Sequence, residues 1–210
     1  AVDHVLDAAR GKSALALGPG LGQEPETAEA IRRLVRQAAE LGVPLVVDAD
    51  GLNAFAGRAR ELGECLEGRP AMLTPHPGEL ARLLGTTAAE VQADRLEAAR
   101  RAAAETRAVV VLKGRLTLVA APSGEVHANP TGNAGMASGG SGDVLTGILA
   151  ALLGQGLDPL TAARLGVYLH GLAGDLAVEA SGLAAYPILA AGDLVESLPA
   201  AFARLAAAGP

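Results

Sequence analysis

The sequence predicts an α/β fold, a largely parallel sheet with helices on both faces. Three observations predict it: short aliphatic runs alternate with helical stretches, Gly, Pro or Asp bounds each run, and 50% of the 210 residues are hydrophobic against 19% charged. Each element follows in order. The runs Ala14 to Leu17, Pro44 to Val47, Ala71 to Leu73 and Val109 to Leu112 are too short for helices and read as strands buried on both faces. Between them, helices are expected over Glu26 to Leu41, around Asn53 to Leu66, over Gly78 to Leu84, and over Ala88 to Thr106 behind the cap Thr87. After Lys113 the pattern becomes Leu116 to Ala121, a PSGE turn at Pro122 to Glu125, and Val126 to Ala128, which reads as a β-hairpin. A helix starts near Val144, and two more are expected over Leu160 to Ala180 and Asp193 to Ala207. No internal repeat or linker interrupts the chain, so one domain over residues 1–210 is expected.

Composition excludes several functions. A formal net charge of -6, a pI near 5.2 and 2% aromatic residues leave neither a basic surface nor stacking platforms for nucleic acid. No apolar run approaches the roughly 20 residues that a membrane-spanning helix needs. The single cysteine, Cys65, cannot form an internal disulfide and fits a packed position in a reducing, cytoplasmic setting. The chain opens on Ala1 rather than Met and shows no signal peptide, which leaves its localisation provisional.

The most informative segment is NPTGNAGMASGGSGDVLTG, Asn129 to Gly147. Gly132, Gly135, Gly139, Gly140 and Gly142 clear side chains from the path of the backbone and permit positive φ. Val144, Leu145, Ile148, Leu149, Leu152 and Leu153 then recur at helical spacing, so the loop presents its N–H groups at a positive helix end suited to phosphate. A carboxylate there repels phosphate unless it takes a proton from a nucleophile or helps hold a metal. Asp143 is therefore both a candidate base and a candidate helix cap.

Four other motifs sit at predicted strand ends. GPGLG, at 18 to 22, allows a ligand close to the backbone or makes a tight turn, and it fits neither the dinucleotide-binding nor the P-loop spacing. Asp48 and Asp50 in DADGLN share one side only if the strand continues through them; they could then place Mg²⁺ through water, and otherwise they are turn residues. In TPHPGE, Pro77 suits the first helical position and Glu79 the third, which puts His76 at the cap. Histidine is an unusual cap, and between two prolines it is a candidate ligand contact. Lys113 is one of two lysines against fifteen arginines, and a compact ammonium at a strand end suits a phosphate.

Together GPGLG, DADGLN, TPHPGE, KGRLT (113 to 117) and GNAGMASGGSGDVLTG (132 to 147) resemble, in order, the C-terminal YjeF family of NAD(P)H-hydrate dehydratases within the ribokinase-like superfamily. The resemblance extends to the C-terminal helix and implies a ribokinase-like fold. It assigns Gly20, Gly22, His76, Asn133 and Asp143 to the hydrated-nicotinamide site. It assigns Lys113, Gly114, Arg115, Leu116, Thr117, Gly139, Gly140, Ser141 and Gly142 to the adenine nucleotide. The implied reaction phosphorylates the C6 hydroxyl of the S epimer of hydrated NADH or NADPH and then expels phosphate. ADP, or ATP, is the donor, Mg²⁺ the counter-ion, Asp143 the base, and Asp48 or Asp50 indirect helpers to the metal.

Relatives carry a further strand and helix before GPGLG, and the resemblance implies either that this chain belongs to a longer polypeptide, with an epimerase domain upstream, or that its fold is abbreviated. It also implies a homotetramer. Two other classes stay open: a small-molecule kinase of the same superfamily acting on a vitamin precursor, and a nucleotide-binding regulator without turnover.

Overall fold

Among the described residues six strands form one sheet in the order of the chain, and the alternation of side chains along them decides what each face carries. The computed structural model describes residues 2–66, 68–182 and 189–207. Strands β1 (Leu15–Leu17), β2 (Leu45–Val47), β3 (Ala71–Leu73) and β4 (Val109–Leu112) pair in parallel. β5 (Leu118–Ala120) and β6 (Val126–Ala128) add an antiparallel hairpin, as the PSGE turn predicts.

Parallel strands need crossovers, and these clothe both faces. Leu17, Leu45, Val47, Leu73, Val110 and Leu112 point into a core shared with α2 (Pro25–Glu40), α4 (Ala59–Leu66), α5 (Pro77–Leu84) and α7 (Arg95–Thr106). The intervening Val46, Met72, Val109 and Val111 meet α8 (Ser141–Gly154) and α9 (Pro159–Ser181) on the other face. All ten residues of β2, β3 and β4 are buried, as continuous aliphatic runs require. Helix α1 (Val2–Ala9), which the sequence reading did not anticipate, packs against α2, and α10 (Ala191–Ala207) lies along α9.

Two predicted helices are broken in the structure. The stretch expected around Asn53 to Leu66 becomes α3 (Asp50–Asn53) and α4, separated by a turn in which Gly57 adopts φ 70° and donates to the Arg82 carbonyl. The stretch expected over Ala88 to Thr106 becomes α6 (Ala88–Ala93) and α7, because Asp94 leaves helical geometry at φ −142°. Its carboxylate accepts from the Glu97 N–H at 2.9 Å and so caps α7. Asp94 ends one helix and starts the next, which periodicity alone does not register.

The strand-end loops pack tightly beneath the site. Gly18, at φ 138°, lies so close to the end of β2 that a Cβ would stand 1.7 Å from the Asp48 carbonyl oxygen. Gly18→Ala therefore demands backbone movement as well as a strained φ. We expect a loss of about 2–4 kcal/mol, read as a lower urea midpoint, whereas Gly20→Ala, with open space around its Cβ, should lose less.

Candidate functional site

The carboxyl ends of β1 to β4 and the glycine-rich loop meet at one edge of the sheet, where open parallel sheets bind ligands. A cavity of about 1070 Å³ opens there. Residues 113–117 form one wall, residues 129–134 and 136–138 another, and Ser141, Gly142, His170 and Gly171 its floor. A smaller cleft of about 330 Å³ beside β6, α9 and α10 contains none of the GPGLG, TPHPGE or SGGSGD residues.

At the centre lies a buried ion pair. β2 ends at Val47, so Asp48 hangs off its carboxyl end with its side chain 2% exposed. One carboxylate oxygen accepts from Lys113 Nζ at 2.7 Å and the other from Thr146 Oγ1 at 2.7 Å. The pair ties the ends of β2 and β4 to the second turn of α8. Glu79 Oε2 lies 3.6 Å from the same ammonium, and a methyl group at Gly142 would stand 3.5 Å from it. Lys113 thus faces two acids on one side and the start of α8 on the other.

Asp50 goes elsewhere. Ala49 adopts φ 48°, which turns the chain between the two acids, and the strand does not continue through them. Asp50 accepts from Gly22 N–H at 2.9 Å, Gln23 Nε2 at 3.0 Å and Asn53 Nδ2 at 3.2 Å. Burial works against its ionisation, but these donors and the Arg82 guanidinium outweigh burial and hold Asp50 below the usual aspartate range. It fastens the GPGLG loop rather than sharing a ligand with Asp48. Among the described residues, no group of three or more His, Cys, Asp or Glu side chains could hold a metal ion.

His76 does cap α5. Its Nδ1 accepts from Gly78 N–H at 2.9 Å and from Glu79 N–H at 3.4 Å, while Glu79 Oε2 accepts from the His76 N–H at 2.7 Å. The histidine therefore fills the structural role for which it looked ill suited, with Nδ1 as the acceptor. Nε2 is 3.4 Å from Glu79 Oε1, and half of the side chain remains exposed.

Helix α8 starts at Ser141, three residues before the first apolar position of its stripe, with Gly140 at the cap in the left-handed region (φ 86°) and without a side-chain bond. Asp143 is thus not the cap; it occupies the third helical position, exposed and without a hydrogen-bond partner among the described residues. Lys113, Gly114, Arg115, Leu116, Thr117, Asn133, Ser141 and Gly142 share the cavity wall, with Gly139 and Gly140 in the loop between. Gly20, Gly22, His76 and Asp143 lie outside that wall, Asp143 one residue beyond Gly142.

Several polar residues that hold this loop were not singled out from sequence. Asp175 on α9 accepts from Gly132 N–H at 2.9 Å and Asn133 Nδ2 at 3.0 Å. The Asn133 Oδ1 accepts from Gly135 N–H, so its amide shapes the loop. His170 Nε2 lies 3.0 Å from the Ser141 carbonyl, to which it donates when protonated there. Asn129 and Thr131 bond the carbonyls of Val167 and Tyr168. A histidine and an aspartate in the otherwise apolar stretch of α9 are the signal that could have found His170 and Asp175. Thr146, within the apolar stripe of α8, carries a similar mark.

A family profile described as NAD(P)H-hydrate dehydratase matches residues 2–196. This chain belongs to the NAD(P)H-hydrate dehydratase family. It is 52% identical over 199 residues to the bifunctional NAD(P)H-hydrate repair enzyme of Moorella thermoacetica, covering 95% of this chain and 36% of that protein. It is 51% identical over 142 residues to the ADP-dependent (S)-NAD(P)H-hydrate dehydratase of Neisseria meningitidis, covering 68% of this chain and 48% of that one. The chain thus spans between a third and a half of the length of these curated relatives. The ADP/ATP-dependent NAD(P)H-hydrate dehydratase of Bacillus subtilis, crystallised with ATP and Mg²⁺, superposes with a TM-score of 0.76 at 34% identity, over 95% of this chain and 69% of that one. The fold is ribokinase-like: a superfamily member from Enterococcus faecalis superposes with a TM-score of 0.74 at 25% identity, over 96% and 66% of the two chains.

Two measurements probe this dehydratase scaffold. Thr146→Val leaves a buried Asp48 oxygen without its donor and should cost about 1.5–3 kcal/mol in urea unfolding. Burial, reinforced by the Lys113 charge and only partly countered by the Ser141 carbonyl, holds His170 below the usual histidine range. The unfolded chain then takes the proton first as pH falls. The contribution of His170 is therefore complete above about pH 6.5 and lost as pH falls below it toward the folded-state value, by at most ~1.4 kcal/mol per pH unit. His170→Gln should flatten that part of the stability profile.

Proposed function

We propose that this chain dehydrates the S epimer of hydrated NADH or NADPH, with ADP as phosphoryl donor and ATP as the alternative. The bare first turn of α8 carries the reading. Gly140 caps it without a side chain, Ser141 and Gly142 open onto the cavity, and Asp143 follows in the same turn, exposed and with no side-chain partner among the described residues. N–H groups at a positive helix end suit the transferring phosphoryl group, and a free carboxylate suits the proton of the attacking hydroxyl.

The chemistry explains why a hydro-lyase has a kinase-like site. Hydroxide leaves C6 of the hydrated ring poorly. Asp143 takes the C6 hydroxyl proton as its oxygen attacks the terminal phosphorus, and ADP departs as AMP. The ring-nitrogen lone pair then expels phosphate from C6, and loss of a C5 proton restores the C5=C6 bond. On this reading Lys113 balances the donor's charge, the walls at Gly114 to Thr117 and at Gly139 to Gly142 hold the nucleotide, and Gly20, Gly22, His76 and Asn133 border the nicotinamide. Asp48 and Glu79 are engaged by Lys113, Thr146 and the His76 N–H and do not line the cavity, and Asp50 is engaged by the GPGLG loop, so an Mg²⁺ would be carried by the polyphosphate, with these acids at most indirect helpers. When bound, Mg²⁺ supplies charge neutralisation.

The names of the Moorella and Neisseria relatives support this substrate, and the ATP and Mg²⁺ of the Bacillus crystal support the donor and metal. We read residues 1–210 as one dehydratase domain of a cytoplasmic homotetramer, in a polypeptide that also carries an epimerase domain. The coverage of 36% of a bifunctional relative supports the longer polypeptide. No described helix is long and apolar enough to cross a membrane.

Hydrated NADH, Mg²⁺ and either ADP or ATP should restore the near-ultraviolet absorbance of NADH and release phosphate. Asp143→Asn should slow kcat at least about 100-fold while costing no more than about 1 kcal/mol in urea unfolding, since the Asp143 side chain bonds nothing among the described residues. Unchanged turnover in that variant sinks the assigned base. A stable phosphoester indicates a kinase, and nucleotide binding without turnover a regulator.

A further inference from the structure

Below the wall formed by residues 113–117 lies a guanidinium with an unusual set of partners. Arg95 is the first residue of α7, released from α6 by the break at Asp94. Its Nη1 donates to the Arg115 carbonyl, and its Nη2 to the carbonyls of Leu112 at 3.2 Å and Lys113 at 3.4 Å. Burial pushes the guanidinium below its ordinary range, no carboxylate pairs with it among the described residues, and its Nε is buried without an acceptor. Leaving a buried donor unsatisfied costs free energy.

The geometry points to Arg95 as the positioning residue of the nucleotide wall, an inference that rests on the reading above that residues 113–117 receive an adenine nucleotide. All described peptide bonds here are trans, so a carbonyl turned one way turns the next N–H the other way. By drawing the carbonyls of Lys113 and Arg115 beneath the wall, Arg95 turns the N–H groups of Gly114 and Leu116 away from itself, toward the cavity that both residues line. Neither N–H has a protein acceptor among the described residues.

Two further features accompany the same clamp. A Cβ at Gly114 would stand a tight 3.2 Å from Arg95 Nη2, and the φ of 133° there favours glycine in any case. Leu116 is held at φ 54°, a left-handed conformation costly for leucine, and the residue is 54% exposed on the rim. The arginine carries a charge but meets the nucleotide only through the two amides it aims.

The full chain is tested with ADP and Mg²⁺ as probe, by calorimetry and by turnover of hydrated NADH. Arg95→Met should raise the Kd and KM for ADP at least ten-fold, with kcat within three-fold and KM for hydrated NADH unchanged, and Arg95→Lys should recover part of the loss. In the unmutated protein, ADP should slow amide hydrogen exchange at Gly114 and Leu116, a measurement that does not depend on any variant folding. Unprotected amides, an unchanged KM for ADP, or parallel losses in kcat and both KM values with a lowered urea midpoint each overturn the assignment. Failure of the unmutated protein to bind ADP overturns the underlying reading as well, whereas normal ADP binding and turnover with an indifferent Arg95→Met removes only the role of Arg95.

Discussion

Asp48 has almost no exposure to water, yet it carries an ion pair and a hydroxyl bond that join three elements distant in sequence. A carboxylate removed from water is tolerated only when its lone pairs are satisfied, and here Lys113 and Thr146 satisfy them. That requirement fixes the separation of the β2 and β4 ends and the seating of α8 against them. The first turn of α8, the glycine loop before it and the cavity in front of it inherit their positions from this contact. Glu79 extends the same electrostatic cluster to the cap of α5, and so to His76.

A second layer of support comes from α9. Its His170 meets the Ser141 carbonyl in the first turn of α8, and Asp175 secures the opposite end of the loop at Gly132 and Asn133. The loop is held at both ends by one helix, and its middle, the short turn Ala134–Met136, packs on the same helix where Met136 lies against Gly174. The large cavity therefore opens directly onto a helix start, at Ser141 and Gly142.

Much of this was legible in the residues. The strands were visible because sheets buried on both faces use continuous aliphatic runs, and the hairpin because PSGE can only turn. The capping box at His76 and Glu79 followed from Pro77 and the three-residue spacing. The helix breaks at residues 54–58 and at Asp94 were not visible, since apolar spacing on either side stays compatible with one longer helix. Arg95 was hidden with the second break. The divergence of Asp48 and Asp50 depends on the unusual φ of Ala49, which no property of alanine announces. His170 and Asp175 could have been suspected as polar residues in an apolar stretch, but their partners lie some thirty to forty residues away in the chain.

The contact of Gly18 with the Asp48 carbonyl joins the GPGLG turn to the same strand end that anchors Lys113. The two halves of the site therefore share a foundation and cannot drift apart independently over evolution. A change that widened the GPGLG side would displace the lysine, and one that moved the lysine would crowd the glycine turn. Variation is most accessible at exposed positions such as Leu21 and Leu116, where side chains can change without disturbing that shared base.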